Sequence, residues 1–113
     1  MEDINRIELC GTVGSVRLNN CPGMQVANFS LLTQYGYVNP EGYVICENTW
    51  HTVVYTQNAE RLQDCVPDIT EIQPGVRIRL VGRMRNTRYT SADGSEKMLV
   101  EVVTQSFSIV DNK

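Results

Sequence analysis

The residues best suited to chemistry in this 113-residue chain are five arginines crowded into one stretch. Arg77, Arg79, Arg83, Arg85 and Arg88 stand between Val76 and Ala92, with no acid among them. Val76, Ile78, Leu80, Gly82 and Met84 alternate with Arg77, Arg79, Val81, Arg83, Arg85, Thr87 and Tyr89. A period of two means a strand, whose successive side chains point to opposite faces. Four arginines then share one face at steps of about 7 Å, close to the phosphate spacing of an extended single strand. Tyr89 ends the row with a ring that can stack a base. A basic groove with aromatic platforms is the physical recipe for holding single-stranded nucleic acid without reading its sequence. The row is equally well a solvated strand face, with some guanidiniums paired to acids such as Glu101 on a neighbouring strand.

The other aromatics favour the binding reading. Tyr35, Tyr37 and Tyr43 lie in a segment with Gly36, Asn39-Pro40 and Gly42, the composition of a loop. A core would use Phe, Leu or Val there. Tyr37 and Tyr89 are therefore read as stacking rings, and Tyr43 as loop packing or a contact between subunits. Trp50 and His51 are adjacent, so on a strand they face opposite ways. His51, the only histidine, has no G-x-S-x-G, H-E-x-x-H or phosphate-loop motif around it. Glu60 and Asp64 would suit a Mg²⁺ nuclease, but such acids far more often line a solvated helix face. Cys10, Cys21, Cys46 and Cys65 form no C-x-x-C pair. No metal, cofactor or catalysis is therefore expected, and the thiols are read as reduced, some packing as small apolar residues.

The elements that must position these residues are mostly strands. Ile7, Leu9, Gly11 and Val13 alternate with Arg6, Glu8, Cys10 and Thr12 as a first strand. Asn19-Asn20-Cys21-Pro22-Gly23 is a turn. A second strand runs from about Met24 to Gln34, with Ala27, Phe29 and Leu31 on one side, and a third from Thr49 to Thr56. Ala59, Leu62, Cys65 and Val66 form the apolar stripe of a short helix from about Asn58 to Val66, stopped by Pro67. The fourth strand carries the arginines. Asp93-Gly94 turns into a fifth, from about Lys97 to Val110. Five strands with a helix between the third and fourth is the order of an OB-fold, a five-stranded all-β Greek-key barrel that often binds oligonucleotides. The length suits one such domain, residues 1–113. The formal net charge of -3 argues against a general nucleic-acid binder. Its distribution matters more: six acids against Arg61 between Glu41 and Glu71, then the arginine block, put a basic face on an acidic body. There is no apolar run long enough for a membrane span and no secretory leader at Met1, so a cytoplasmic place is expected.

Several of these segments together resemble bacterial single-stranded DNA-binding proteins. Asn5-Arg6-Ile7-Glu8-Leu9-Cys10-Gly11-Thr12-Val13-Gly14 is similar to the opening strand of that family, and Val26-Ala27-Asn28-Phe29-Ser30-Leu31 to its second. Trp50-His51-Thr52-Val53-Val54 resembles its Trp-His-x-Val-Val element. Gly82-Arg83-Met84-Arg85, Tyr89-Thr90, Asp93-Gly94 and Val100-Glu101-Val102 resemble its final hairpin.

The resemblance implies base stacking on Trp50, Tyr37 and Tyr89. It also implies a fourth platform near Tyr55, where this chain is one residue shorter. Tyr stands for Trp at two of these places, which weakens stacking. Phosphates are expected on Arg83, Arg85 and Arg88, and the row itself adds Arg77 and Arg79. His51 is expected at a contact between subunits. The implied partners are single-stranded DNA and further copies of the chain, as a tetramer built from dimers or a dimer, near the nucleoid. The implied setting is replication, recombination or repair.

The first turn lacks the family's Asp-Pro after Gly14, and the chain ends at Asp111-Asn112-Lys113 without its acidic tail. Partners recruited through such a tail are not expected. The primosomal replication protein N family is the second resemblance. A protein-interaction module with weak DNA binding is the alternative function.

Overall fold

The computed structural model describes residues 3–58 and 69–110. Five strands form a closed barrel: β1 (Ile7–Cys21), β2 (Met24–Val38), β3 (Val44–Asn58), β4 (Arg77–Thr90) and β5 (Glu96–Ile109). Their order around the barrel is β1-β2-β3-β5-β4, with β4 returning to β1. Neighbours are antiparallel except β3 and β5, which run parallel through Val53↔Val102 and Val54↔Val103. This is the five-stranded OB-fold expected from the element order.

The alternating residues fill the barrel as their period demands. Val13, Ala27, Phe29, Leu31, Val53, Tyr55, Ile78, Leu80, Val102 and Phe107 form one cluster. Ile69 and Ile72 close it from the β3–β4 connection. The 3-10 turn Ile69–Glu71 is anchored there by the backbone N–H of Ile69, which donates to Gln57 Oε1 at 2.9 Å. The expected helix from Asn58 to Val66 lies outside the described residues apart from Asn58, which ends β3.

Two expectations about segment limits need correction. β1 runs on through Asn19 and Asn20 to Cys21, because the turn needs only Pro22 and Gly23. Gly23 takes φ +79°, the left-handed conformation a type II turn requires at its third residue. The supposed loop of tyrosines is mostly strand. β2 and β3 pair without a break out to Tyr37↔Ile45 and Val38↔Val44, as the strand preference of Tyr, Val and Ile favours. Asn39 closes this hairpin: its Oδ1 accepts the N–H groups of Glu41 and Tyr43 at 3.1 and 2.9 Å. Tyr43 has an exposed ring, so it is not packed into the loop. The thiols also depart from expectation. Cys10, Cys21 and Cys46 are free and exposed rather than packed, and Cys65 lies outside the described residues. Among the described residues no helix is long and apolar enough to cross a membrane.

Candidate nucleic-acid interface

Trp50 sits on the outer face of the β2–β3 ladder, opposite Leu32, and is 59% exposed. A bulge in β1 sets its surroundings. Thr12 and Val13 pair with Leu32 and Leu31, but Val16 pairs with Phe29, so Gly14 and Ser15 together face Ser30. Such a bulge strands a ladder donor. Here the Ser15 N–H donates to Ser30 Oγ at 2.9 Å. A Cβ on Gly14 would stand 2.5 Å from Trp50 Cζ3 and 2.7 Å from Ser30 Oγ. The indole edge therefore lies over the bare backbone of Gly14. Beyond Ser30 the same face opens into a groove of about 310 Å³ lined by Ser15, Arg17, Asn28, Ser30 and Thr52, with Val16 and Phe29 behind them. We expect Gly14→Ala to shift Trp50 and change its fluorescence spectrum in the free protein. An unchanged spectrum would mean the ring does not rest on Gly14.

The other rings separate into two groups. Tyr37 is 39% exposed and Tyr89 47% exposed. Tyr37 lies beside Tyr35, with ring centroids 6.0 Å apart. Its hydroxyl donates to Glu47 Oε1 at 3.3 Å, and the negative charge of Glu47 raises its pKa above the usual tyrosine value. By alternation, Tyr37 and Trp50 leave opposite faces of the β2–β3 ribbon. Tyr55, expected near a stacking position, is instead part of the core. It is 8% exposed, and its ring meets Phe107 edge-on with centroids 4.9 Å apart. The reason is parity: Tyr55 shares the inward face of β3 with Val53, and no bulge intervenes.

Arg77, Arg79, Arg83 and Arg85 lie on the outside of the barrel, because Ile78 and Leu80 point inward. The five arginines of β4 differ in what holds them. Arg77 is half-buried and donates from Nη1 to Thr12 Oγ1 at 3.1 Å. Arg79 faces Glu8 at 3.8 Å, and Arg88 faces Glu96 at 3.7 Å, all four side chains being exposed. Such pairs contribute little and exchange readily. Arg85 is bound more firmly. Glu101 is 8% exposed and pairs directly across the ladder from Arg85. Its Oε1 accepts from Arg85 Nη2 at 2.9 Å, Arg85 Nε at 3.3 Å and Thr87 Oγ1 at 3.0 Å. Removing Arg85 from that acid would leave a largely buried carboxylate short of donors. Arg88 lies on the opposite face of β4 from Arg83, Arg85 and Tyr89. Arg83 is exposed, with no acid partner among the described residues.

The turn that presents Tyr89 is tied by Asp93. Its Oδ1 accepts from the Ser95 N–H at 3.0 Å, from Ser95 Oγ at 2.6 Å and from Ser91 Oγ. These hydroxyl and amide donors favour the carboxylate and hold its pKa at about 2.

His51 is half-buried, with Nε2 2.8 Å from Thr33 Oγ1. Burial disfavours the imidazolium and lowers its pKa from 6.5. A depressed folded pKa means the unfolded chain binds the proton more readily. The contribution of His51 to stability is therefore complete above about pH 6.5 and is lost as the pH falls through the lower folded value. Urea midpoints at pH 7.5 and pH 5 should show this loss in the parent and a smaller one in His51→Gln. Equal losses would remove His51 as a cause.

The sequence reading missed two arginines, Arg6 and Arg17, and the groove that Arg17 enters beside Trp50. Arg17 lies beyond the alternating part of β1, and Arg6, although in the outward set of that alternation, has nothing in the sequence that marks it out from its neighbours. Among the described residues no group of three His, Cys, Asp or Glu side chains is placed to hold a metal ion.

Comparison with curated protein sequences finds no match. Among solved structures the chain is similar to a Plasmodium falciparum SSB in complex with ssDNA, at 18% identity and a TM-score of 0.81, covering 98% of each chain. It is also similar to a deletion mutant of the single-stranded DNA binding protein from Thermus aquaticus, at 18% identity and a TM-score of 0.75, covering 97% of this chain and 52% of that one. These likenesses establish the barrel. The sequence profile of the single-strand binding protein family matches residues 4–110, nearly the whole chain, and the chain belongs to that family.

Proposed function

We propose that the chain binds single-stranded DNA without sequence preference, holding strands exposed during replication, recombination or repair. Family membership supports this reading, and one structural observation carries it. Trp50, Tyr37 and Tyr89 are large rings left 39–59% exposed on a barrel whose surface bears loosely held arginines. Bases stack on the three rings. Phosphates are taken by Arg83, and by Arg79 and Arg88 as they exchange their weak surface pairs. Arg77 and Arg85 stay on Thr12 and Glu101 and shape the face rather than neutralise the strand. Because Trp50 and Tyr37 leave opposite faces of one ribbon, a strand touching both wraps around the β2–β3 hairpin. The protein acts by binding alone, within the cytoplasm at the nucleoid, with no cofactor.

The same reading has the chain assemble with copies of itself, as a dimer or a tetramer. Tyr35, Val38 and Val44 on one hairpin, and Met84, Met98 and Val100 on the other, are more apolar surface than an isolated small barrel usually leaves open. His51 is proposed at such a contact. Sedimentation should give a mass at least twice the 12.8 kDa of one chain.

Fluorescence anisotropy with labelled oligo-dT, and with a duplex of equal length, tests the proposal. Binding should favour the single strand, leave it intact in Mg²⁺, and weaken with salt. Three phosphate contacts at about 0.7 each give a log–log slope of about -2. Equal affinity for duplex, or cleavage of the strand, would overturn it.

A further inference from the structure

The β1–β4 ladder ends at Ile7↔Gly82, and one step further the same register puts Arg6 opposite Arg83. Both side chains are exposed. Like charges directly opposite each other destabilise a ladder, and the neighbouring arginines avoid this by pairing with Glu8, Glu101 and Glu96. Among the described residues no such acid reaches Arg6 or Arg83.

Instead Arg6 and Arg83 line a recess of about 160 Å³ with Gly82, Gln105 and Asn5. Each wall has a local cause. Asn5 is fixed on the β4 backbone: Nδ2 donates to Met84 O at 2.7 Å and Oδ1 accepts from Met84 N at 3.0 Å. Its amide is thus occupied, and it holds the segment carrying Arg6 against β4. Gln105 is the extra residue of a bulge in β5, since Val81 pairs with Ser106 but Gly82 with Thr104. A bulge re-aims its side chain, and Gln105 is exposed beside the recess. Gly82 has no room for a Cβ, which would strike the Val103 carbonyl.

We propose that this recess is a phosphate site in which Arg6 and Arg83 grip one phosphate together and Gln105 adds a neutral donor. Two planar forks match the oxygens of a phosphate, and the anion removes the repulsion that the empty pair carries. The phosphate comes from an internal phosphodiester or from the 5′ end of a strand. That part rests on the single-stranded DNA reading, whereas the recess itself does not.

Two measurements decide it. The first uses inorganic phosphate as the probe and compares melting temperatures in phosphate and in chloride at equal ionic strength. General stabilisation by phosphate acts on every variant, so the readout is the difference between them. The parent should gain more than Arg6→Gln or Arg83→Gln, and the double variant should gain least, because a bound anion stabilises the folded state. An equal gain in the parent and the double variant would overturn the site.

The second reads the salt dependence of oligo-dT binding. One shared phosphate remains contacted when either arginine is lost, so each single variant should lower the slope by less than about 0.7 and the double variant by about 0.7. A double variant losing about 1.4, or losing nothing, would overturn the sharing. A parent that fails to bind oligo-dT contradicts the DNA reading alone, and the phosphate measurement then judges the recess. Tighter binding of 5′-phosphorylated oligo-dT than of the 5′-hydroxyl form assigns the site to a strand end. Equal binding assigns it to the internal backbone. A preference for the 5′-phosphate that survives in the double variant would place that end outside the recess.

Discussion

Tyr55→Ala should destabilise the fold by about 3–5 kcal/mol, the range for removing a large buried ring. Tyr55 fills the barrel between β3 and β5, edge-on to Phe107 and in one cluster with Val53, Leu80 and Val102. Truncation leaves a cavity that rigid strands on every side cannot close. The loss is a large part of what a domain of this size has in reserve, so urea unfolding should show a much lower midpoint or no cooperative transition. Tyr55→Phe keeps the edge-on ring contact and should retain cooperative unfolding. A Tyr55→Ala protein as stable as the parent, yet poor at binding DNA, would return Tyr55 to the surface as a stacking platform.

Trp50→Ala should have the reverse profile. The ring is 59% exposed and rests on Gly14 at one edge, so its removal costs the fold little. Each stacked base is worth about 1–3 kcal/mol, and affinity for oligo-dT should fall by about 5- to 150-fold. Tyr89→Ala should lose affinity in the same manner, since Tyr89 is 47% exposed on the face that carries Arg83. The unfolding midpoints of both variants should stay near the parent's. Undiminished binding in Trp50→Ala would mean that the strand passes elsewhere.

The barrel was legible because its core residues keep a period of two through β1, β2 and β4. Val13, Phe29, Leu31, Ile78 and Leu80 announce their strands without any tertiary knowledge. The β2–β3 hairpin was not legible in full. Gly36 and Asn39-Pro40 carry a loop composition, while pairing across the ladder, which sequence does not display, keeps Tyr35 to Val38 extended. The arginine row was read correctly as one face. Which arginine is occupied depends on register, which sets Arg85 against Glu101 and leaves Arg83 without such a partner among the described residues.

Tyr55 is instructive in another way. Its parity with Val53 on β3 turns it inward, whereas the family resemblance implied a stacking platform there. Parity, a consequence of strand geometry, was the better guide. Arg6 stands in the alternation of the first strand, but its proposed role with Arg83 rests on the register in which β1 closes on β4, which sequence does not display.

The most direct test of the central claim is a titration of Trp50 fluorescence with oligo-dT at several salt concentrations. Trp50 is the only tryptophan, so its emission reports a single place on the barrel. Saturable quenching that weakens as salt rises, with a log–log slope of about -2, is the predicted result. Emission that stays constant while a low-salt gel shift is also blank would contradict the account.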